Sequence, residues 1–466
     1  MERISSMVTM TEATISGERM EELQSIAGDH LFMHAQQVED WRGNLQIFVK
    51  GEGAWVEDIN GNRLIDAMGG LWYKAAGYGR VPIADAMYGQ LTSIETPPAN
   101  SATPSQIELA GRIAELYHDK DARTFFLSGG SEAVETAVKM AKKYQSLTGK
   151  AGAFKVISRR YSYHGATAMA VSLGRSPAAD PCGPEMPGAI HVTNWDSYRL
   201  PFEGDPVDVA IRCANEFEVA IKHNGPDSVA AMIAEPISAA AGIHIPPAEY
   251  WQRLREIADE YDVVLIADEV ITGFGRTGEY FAPMNWDVEP DITTVAKSLT
   301  SGYSPLGAAI ATKKIADAFL GGPGETFRHL VTFGGHPVSA AAALANLDVF
   351  EEEDLVGNSR RMGDYLYDEL QRLRDHEIVG DVRGGLGLLA AVELVQDRAN
   401  KTPFPASVGL ASRLPKMLFD NGVVSFRAGD VIALCPPLVV DRDEVDFIVD
   451  AVDRSLTTLS EDLGLA

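Results

Sequence analysis

Lys297 and Asp268 are the two residues of this chain whose types and settings point to covalent chemistry. Each closes a short run of strand character: Val263 to Ala267 leads into Asp268 and Glu269, and Ile292 to Ala296 leads into Lys297. Such runs, rich in branched residues, suit strands covered on both faces. Two neighbouring buried strands that finish in an acid and a base place both at the carboxyl edge of a parallel sheet, where open α/β folds bind ligands. A lone lysine beside apolar residues is ordinarily a snorkelling side chain. Here Ser298, Thr300, Ser301 and Gly302 leave room beside the ammonium. An amine in a tight, partly dry pocket has a lowered pKa and serves as nucleophile, Schiff-base partner and proton carrier.

Other elements must bring anion-binding and stacking groups to the same edge. Thr124 to Leu127 reads as a strand, followed by Ser128, Gly129, Gly130, Ser131 and Glu132 and then an amphipathic helix ending near Gly149. Glycines that open a helix let backbone amides converge on an anion, and the helix dipole favours phosphate there. Alone, such a sequence is usually only a turn. Val156 to Arg159 reads as a further strand, with Tyr161, Tyr163, His164 and Gly165 after it. A flat aromatic in that place can stack on an electron-poor ring. Val229 to Ala234 is apolar and runs into Glu235, a third acid at a strand's carboxyl end. A carboxylate such as Asp268 against a pyridine nitrogen keeps it protonated, so that the ring accepts electron density; acid and lysine together suit pyridoxal phosphate.

The stretches DEVITGFGRTG (268–278) and AKSLTSGYSPLGA (296–308) resemble those of class III aminotransferases, the pyridoxal-phosphate enzymes of fold type I that include the amine:pyruvate or omega transaminases. The likeness continues in family order from about Gly51 to about Val440. It implies that Lys297 carries pyridoxal 5'-phosphate, that Asp268 partners the pyridine nitrogen, and that Val270 packs on the ring. It further implies that Gly130 and Ser131 hold the phosphate, that Tyr163 stacks on the ring, and that Glu235 lies near the phenolic oxygen. Thr332 matches a threonine that reaches the phosphate of the neighbouring subunit, so a homodimer, or a tetramer, with a shared active site is implied. Trp72 and Ala240 fall in the substrate pocket. Arg427 matches, with one residue fewer in its loop, the mobile arginine that binds a substrate carboxylate; a bidentate fork suits that task. His164 is expected to be structural or to donate a supporting hydrogen bond.

The likeness has gaps. His34, Ala35, Gln36 and Gln37 stand where relatives often carry His-Pro-Phe-Thr. Ser238 and Ala239 stand where many have Gln-Gly, and the loop before Ser131 has an extra glycine.

At 466 residues the chain exceeds one average domain, and two large units are as compatible with that length as three of roughly 150 residues each. Its 40 basic and 66 acidic residues give a net charge of -26, which disfavours nucleic-acid or anionic-membrane partners. The three cysteines, Cys182, Cys213 and Cys435, form no CxxC pair, as expected in a reducing compartment. His30 and His34 would align on a helix, but no third ligand accompanies them, so no metal site is expected. The amino terminus has no basic start followed by an apolar stretch, and no apolar run approaches transmembrane length. A cytoplasmic protein with no membrane partner is the resulting expectation. Gly384, Gly385 and Gly387 precede strand-like residues rather than a helix, which excludes a dinucleotide fingerprint.

The fold class expected is α/β: a large domain with a mostly parallel sheet (76–345) and a smaller α+β domain built from both chain ends (1–75 and 346–466). The activity implied is a transaminase moving an amino group from an amine or omega-amino acid donor to a keto-acid acceptor such as pyruvate. A same-fold aminomutase or dialkylglycine-type decarboxylase is the alternative. A non-catalytic binding protein on the same fold is disfavoured by the intact lysine, acid and tyrosine.

Overall fold

The computed structural model describes residues 17–176, 180, 182–425 and 429–465. Its strands in chain order are β1 (Phe48–Glu52), β2 (Trp55–Asp58), β3 (Arg63–Asp66), β4 (Arg123–Leu127), β5 (Lys155–Arg159), β6 (Ala189–Val192) and β7 (Val229–Ala234), followed by β8 (Val264–Asp268), β9 (Ile292–Val295), β10 (Gly307–Ala311), β11 (Val379–Arg383), β12 (Ala390–Leu394), β13 (Val423–Val424) and β14 (Val431–Leu434).

One seven-stranded sheet runs in the order β4-β10-β9-β8-β7-β5-β6. Strands β9, β8, β7, β5 and β6 are parallel to one another, while β10 runs antiparallel to both β4 and β9. The carboxyl ends of β4, β5, β7, β8 and β9 therefore share one edge. Every residue of β7 and β8 is buried, because successive side chains serve opposite cores. Met232, Ala234, Leu265 and Ala267 pack with Phe217, Trp251 and Leu254. Ala231, Ile233, Val264 and Ile266 pack with Val134, Ala137 and Val138 of the helix Gly130–Leu147. Helices on both faces explain why these strands read as continuous apolar runs.

Strands β1, β2 and β3 form an antiparallel meander, and β13 adds to β3 in parallel, so early and late parts of the chain share a sheet. Strands β11, β12 and β14 form a separate antiparallel sheet. The glycines at 384, 385 and 387 lie between β11 and β12, with no helix after them.

An Ala-rich helix runs Pro337–Glu352, and after it comes the helix Leu355–Leu370, whose Leu355, Ser359, Gly363, Leu366 and Leu370 are buried on one stripe. The structure departs from the sequence reading at the two histidines. The helix Gly17–His30 stops at His30, so His34 lies in a turn beyond it and the two imidazoles do not share a helix face. Among the described residues no group of three or more His, Cys, Asp or Glu is placed to hold a metal, and no helix is long and apolar enough to cross a membrane.

Candidate active site

Lys297 stands two residues past the end of β9 and adopts φ +47°, a left-handed conformation that costs a side-chain-bearing residue about 1–2 kcal/mol. The turn after it is held by Asn346, a fully buried residue of the helix Pro337–Glu352. Asn346 Nδ2 donates to the carbonyls of Ser298 at 3.0 Å and Leu299 at 3.2 Å, and its Oδ1 accepts from Ser301 Oγ at 2.6 Å. Ser301 Oγ in turn accepts from the Ala76 amide at 2.8 Å, tying this turn to the segment that carries Trp72. Burial lowers the Lys297 amine to about 8, against the opposing pull of Asp268. Its Nζ lies 5.4 Å from the centre of the Trp72 ring.

Asp268 closes β8 and is buried. One carboxylate oxygen accepts from Thr294 Oγ1 at 3.0 Å and from the Val270 amide at 3.2 Å. The other faces His164 Nδ1 at 2.6 Å. With Asp268 ionised, an acceptor only, the pair calls for the tautomer protonated on Nδ1. His164 Nε2 has no hydrogen-bond partner among the described residues. Thr294 is the direct cross-strand partner of Asp268 in the β8–β9 register.

Glu235 follows β7; its Oε1 accepts from the Tyr163 amide at 3.2 Å and its Oε2 from Arg159 at 3.0 Å. Burial raises its carboxyl above the ordinary range, with Arg159 opposing. Burial also raises the Tyr163 phenol. Gly130 opens its helix against Val270: a Cβ there would lie 2.9 Å from Val270 Cγ1. Ser131 Oγ accepts from the Ala166 amide at 3.0 Å. Glu132 folds back onto the Ser128 amide at 2.8 Å, fixing the loop before the helix.

Gly130, Ser131, Tyr163, Glu235, Asp268, Val270 and Lys297 all line one cavity. Ile237, Ile271 and Thr272 line it too. Trp72 meets the group through the Lys297 ammonium. Ala240 sits half-buried in the short helix Ala239–Gly242, outside the cavity lining. Thr332 is exposed, ahead of the helix Pro337–Glu352, and also apart from the cavity. Arg427 lies outside the described residues.

Three contributors escaped the sequence reading. Thr294 left a trace as a polar residue inside a buried strand, and Arg159 as a charge ending one. Asn346 left none, since it lies in an Ala-rich helix remote in sequence from Lys297.

Pyridoxal phosphate can be tested against this cavity by its chemical parts. An aldehyde needs a desolvated amine, and Lys297 offers one. A pyridinium nitrogen needs an acid that is fixed, and Asp268 is held by three donors. A phosphate needs free amides where no side chain intrudes, and the Gly130 end of its helix is a place with no room for a Cβ. The residues fit the cofactor. Together with an open sheet whose carboxyl edge carries all of these groups, they define the class of fold type I pyridoxal-phosphate enzymes.

Comparison with known proteins gives the family within that class. The family model described as aminotransferase class-III matches residues 38–456, and the chain belongs to this family of pyridoxal-phosphate-dependent aminotransferases. A probable aminotransferase of Mycobacterium tuberculosis is 42% identical over 88% of this chain and 89% of its own length. The putrescine–pyruvate aminotransferase of Pseudomonas aeruginosa is 35% identical over 95% of this chain and 97% of its own. Among solved structures, the thermostable (S)-enantioselective omega-transaminase of Thermomicrobium roseum superposes with a TM-score of 0.90 at 37% identity, covering 94% of this chain and 98% of that one.

Proposed function

We propose that this aminotransferase takes its amino group from an amine or an omega-amino acid and delivers it to a small keto acid, with pyruvate as the acceptor. The observation that carries the reading is that Lys297 and Asp268, on neighbouring parallel strands, line one cavity in a chain similar over nearly its whole length to a putrescine–pyruvate aminotransferase.

Pyridoxal phosphate, when bound, supplies an aldehyde that receives the amino group and a ring that takes up electron density from the adjacent carbon. Lys297, with its amine brought to about 8, is partly neutral near neutral pH. It would therefore tether the cofactor's aldehyde carbon, whose oxygen would leave as water, and would hold and move the proton beside it. Asp268 presents fixed negative charge where the ring nitrogen lies. The amides around Gly130 and Ser131 would hold the phosphate, Tyr163 and Val270 would pack on the ring, and Glu235 would lie near the phenolic oxygen. Trp72, with Ala240, shapes the substrate side, and Arg427 receives the acceptor's carboxylate.

The working unit in this reading is a homodimer, with Thr332 completing the partner's phosphate site. Support comes from its exposure and from the large apolar neighbours Leu330 and Phe333, which are 80% and 65% exposed; apolar exposure of that kind marks interaction surfaces. The three free thiols agree with a reducing, cytoplasmic setting.

The deciding experiment supplies amines with pyruvate and measures alanine, with Lys297→Ala as control. Alanine formed by the wild type alone supports the reading. Carbon dioxide, or an isomerised donor without alanine, would favour a decarboxylase or a mutase. In the same panel Arg427→Ala weakens keto-acid use and spares neutral amines; equal losses for both would remove its assignment.

A further inference from the structure

Arg159 is fully buried although its charge is permanent. It ends β5, and its NH2 donates to Glu235 twice, to the main-chain carbonyl at 2.7 Å and to Oε2 at 3.0 Å. The opposite oxygen of the same carboxylate, Oε1, accepts from the Tyr163 amide. Glu235 and Tyr163 face the Lys297 cavity, whereas Arg159 is not among the residues that line it. A buried cation placed behind a cavity wall carries a large desolvation penalty, and it is tolerated only where its partner is well aligned.

The charges around each member connect the pair to the amine. Glu235 feels its own burial first, which disfavours its charge. Arg159 and His164 oppose that effect, Asp268 adds to it, and the Tyr163 amide favours the charge. Arg159 feels its burial, Tyr250 and Glu235, and the Tyr250 ring centre lies 5.9 Å from its guanidinium carbon. Lys297 feels its burial first, then Asp268, Cys435 and Glu235, which favour its charged form, and Arg276, which disfavours it. Glu235 is among the leading groups that act on Lys297, and Arg159 pairs with Glu235.

We propose that Arg159 is a positioning residue, the counter-ion that keeps Glu235 ionised and aimed at the Tyr163 amide, so that a residue outside the cavity sets the charge felt by Lys297 inside it. The inference rests on Lys297 being the reactive amine. Without Arg159, the Glu235 carboxyl is driven further up by its burial, Lys297 feels less negative charge beside it, and its amine becomes more acidic. Were Glu235 to stay ionised without Arg159, the Lys297 amine would hold steady or become more basic.

The test is competitive acylation of the full-length protein freed of cofactor. The extent of Lys297 labelling is followed against pH by peptide mass spectrometry, beside the exposed Lys50 as internal standard. The readout needs no transaminase turnover, so it stands apart from the alanine assay. Arg159→Met and Glu235→Gln are expected to move the labelling midpoint of Lys297 down by the same amount, about half to one pH unit, the scale of one unit charge across a partly buried site. The double variant adds nothing further, as expected for residues that act as a unit, and Arg159→Lys restores most of the wild-type midpoint. An Arg159→Met chain that unfolds while the double variant folds with the Glu235→Gln midpoint also supports the proposal, since only the stranded carboxylate distinguishes the two. A folded Arg159→Met with an unmoved or raised midpoint, additive shifts in the double variant, or failure of both Arg159→Met chains to fold would overturn it.

Discussion

His164 Nδ1 lies 2.6 Å from Asp268 Oδ2, although one residue follows β5, the other ends β8, and β7 lies between those strands. The imidazole thus reaches across a strand to hold the carboxylate that faces the cavity. A hydrogen bond to a buried charged group contributes about 1.5–3 kcal/mol. We expect His164→Phe to lower kcat/KM by about 10- to 150-fold and to weaken cofactor binding in parallel, read by absorbance titration of the cofactor-free protein. Unchanged affinity with intact turnover would reduce His164 to a space-filling role.

Lys297→Met is expected to abolish transfer, with a loss at or beyond the 10²–10⁴-fold typical of a positioned proton carrier. The same variant reports the burial of the amine. A lysine whose folded value is lowered from 10.5 to about 8 contributes stability that is present above 10.5 and lost as pH falls through about 8. The cofactor-free wild type should therefore gain on Lys297→Met by up to about 1.4 kcal/mol per pH unit as pH rises through that window. Parallel melting curves would mean that the amine is solvated.

Gly130→Ala places a Cβ 2.9 Å from Val270 Cγ1 and 3.1 Å from its Cγ2. Overpacking of this kind costs roughly 1–3 kcal/mol, and Val270 lines the cavity into which it would be pushed. Cofactor affinity is expected to fall, and Val270→Ala on the same chain to recover part of it. A second substitution that made binding worse would show that the loss comes from the backbone amides instead.

Glu269 is buried beside Asp268 and reaches about 8 through desolvation, though its Oε2 accepts from Thr272 Oγ1 and the Ala282 amide, each at 2.9 Å. A carboxyl raised from 4.5 to about 8 contributes stability that is full below 4.5 and lost as pH rises through about 8. Glu269→Gln keeps an acceptor and carries no charge. Its melting temperature should pull ahead of the wild type steadily across that interval, at no more than about 1.4 kcal/mol per pH unit. Coincident curves would place water beside the carboxylate.

The sequence by itself determined which residues stand at strand ends. Apolar runs closed by Asp268, Glu235 and Lys297, and a glycine-opened helix at Gly130, are local patterns, and local patterns survive in one dimension because strand and helix periods depend only on near neighbours. Those patterns also carried the fold class, since buried parallel strands between helices leave little latitude in topology. The partners belong to the tertiary structure alone. Asp268 finds His164, Glu235 finds Arg159, and the turn after Lys297 finds Asn346 only once the strand order β9-β8-β7-β5 and the packing of the helix Pro337–Glu352 are set. Each of these bonds joins residues far apart in the chain whose side chains have no shared period, so nothing in the order of the letters could register them. Burial does the rest: the same lysine titrates ordinarily in water, and it is exclusion from solvent by the folded sheet and its helices that moves the amine of Lys297 toward neutrality beside Asp268.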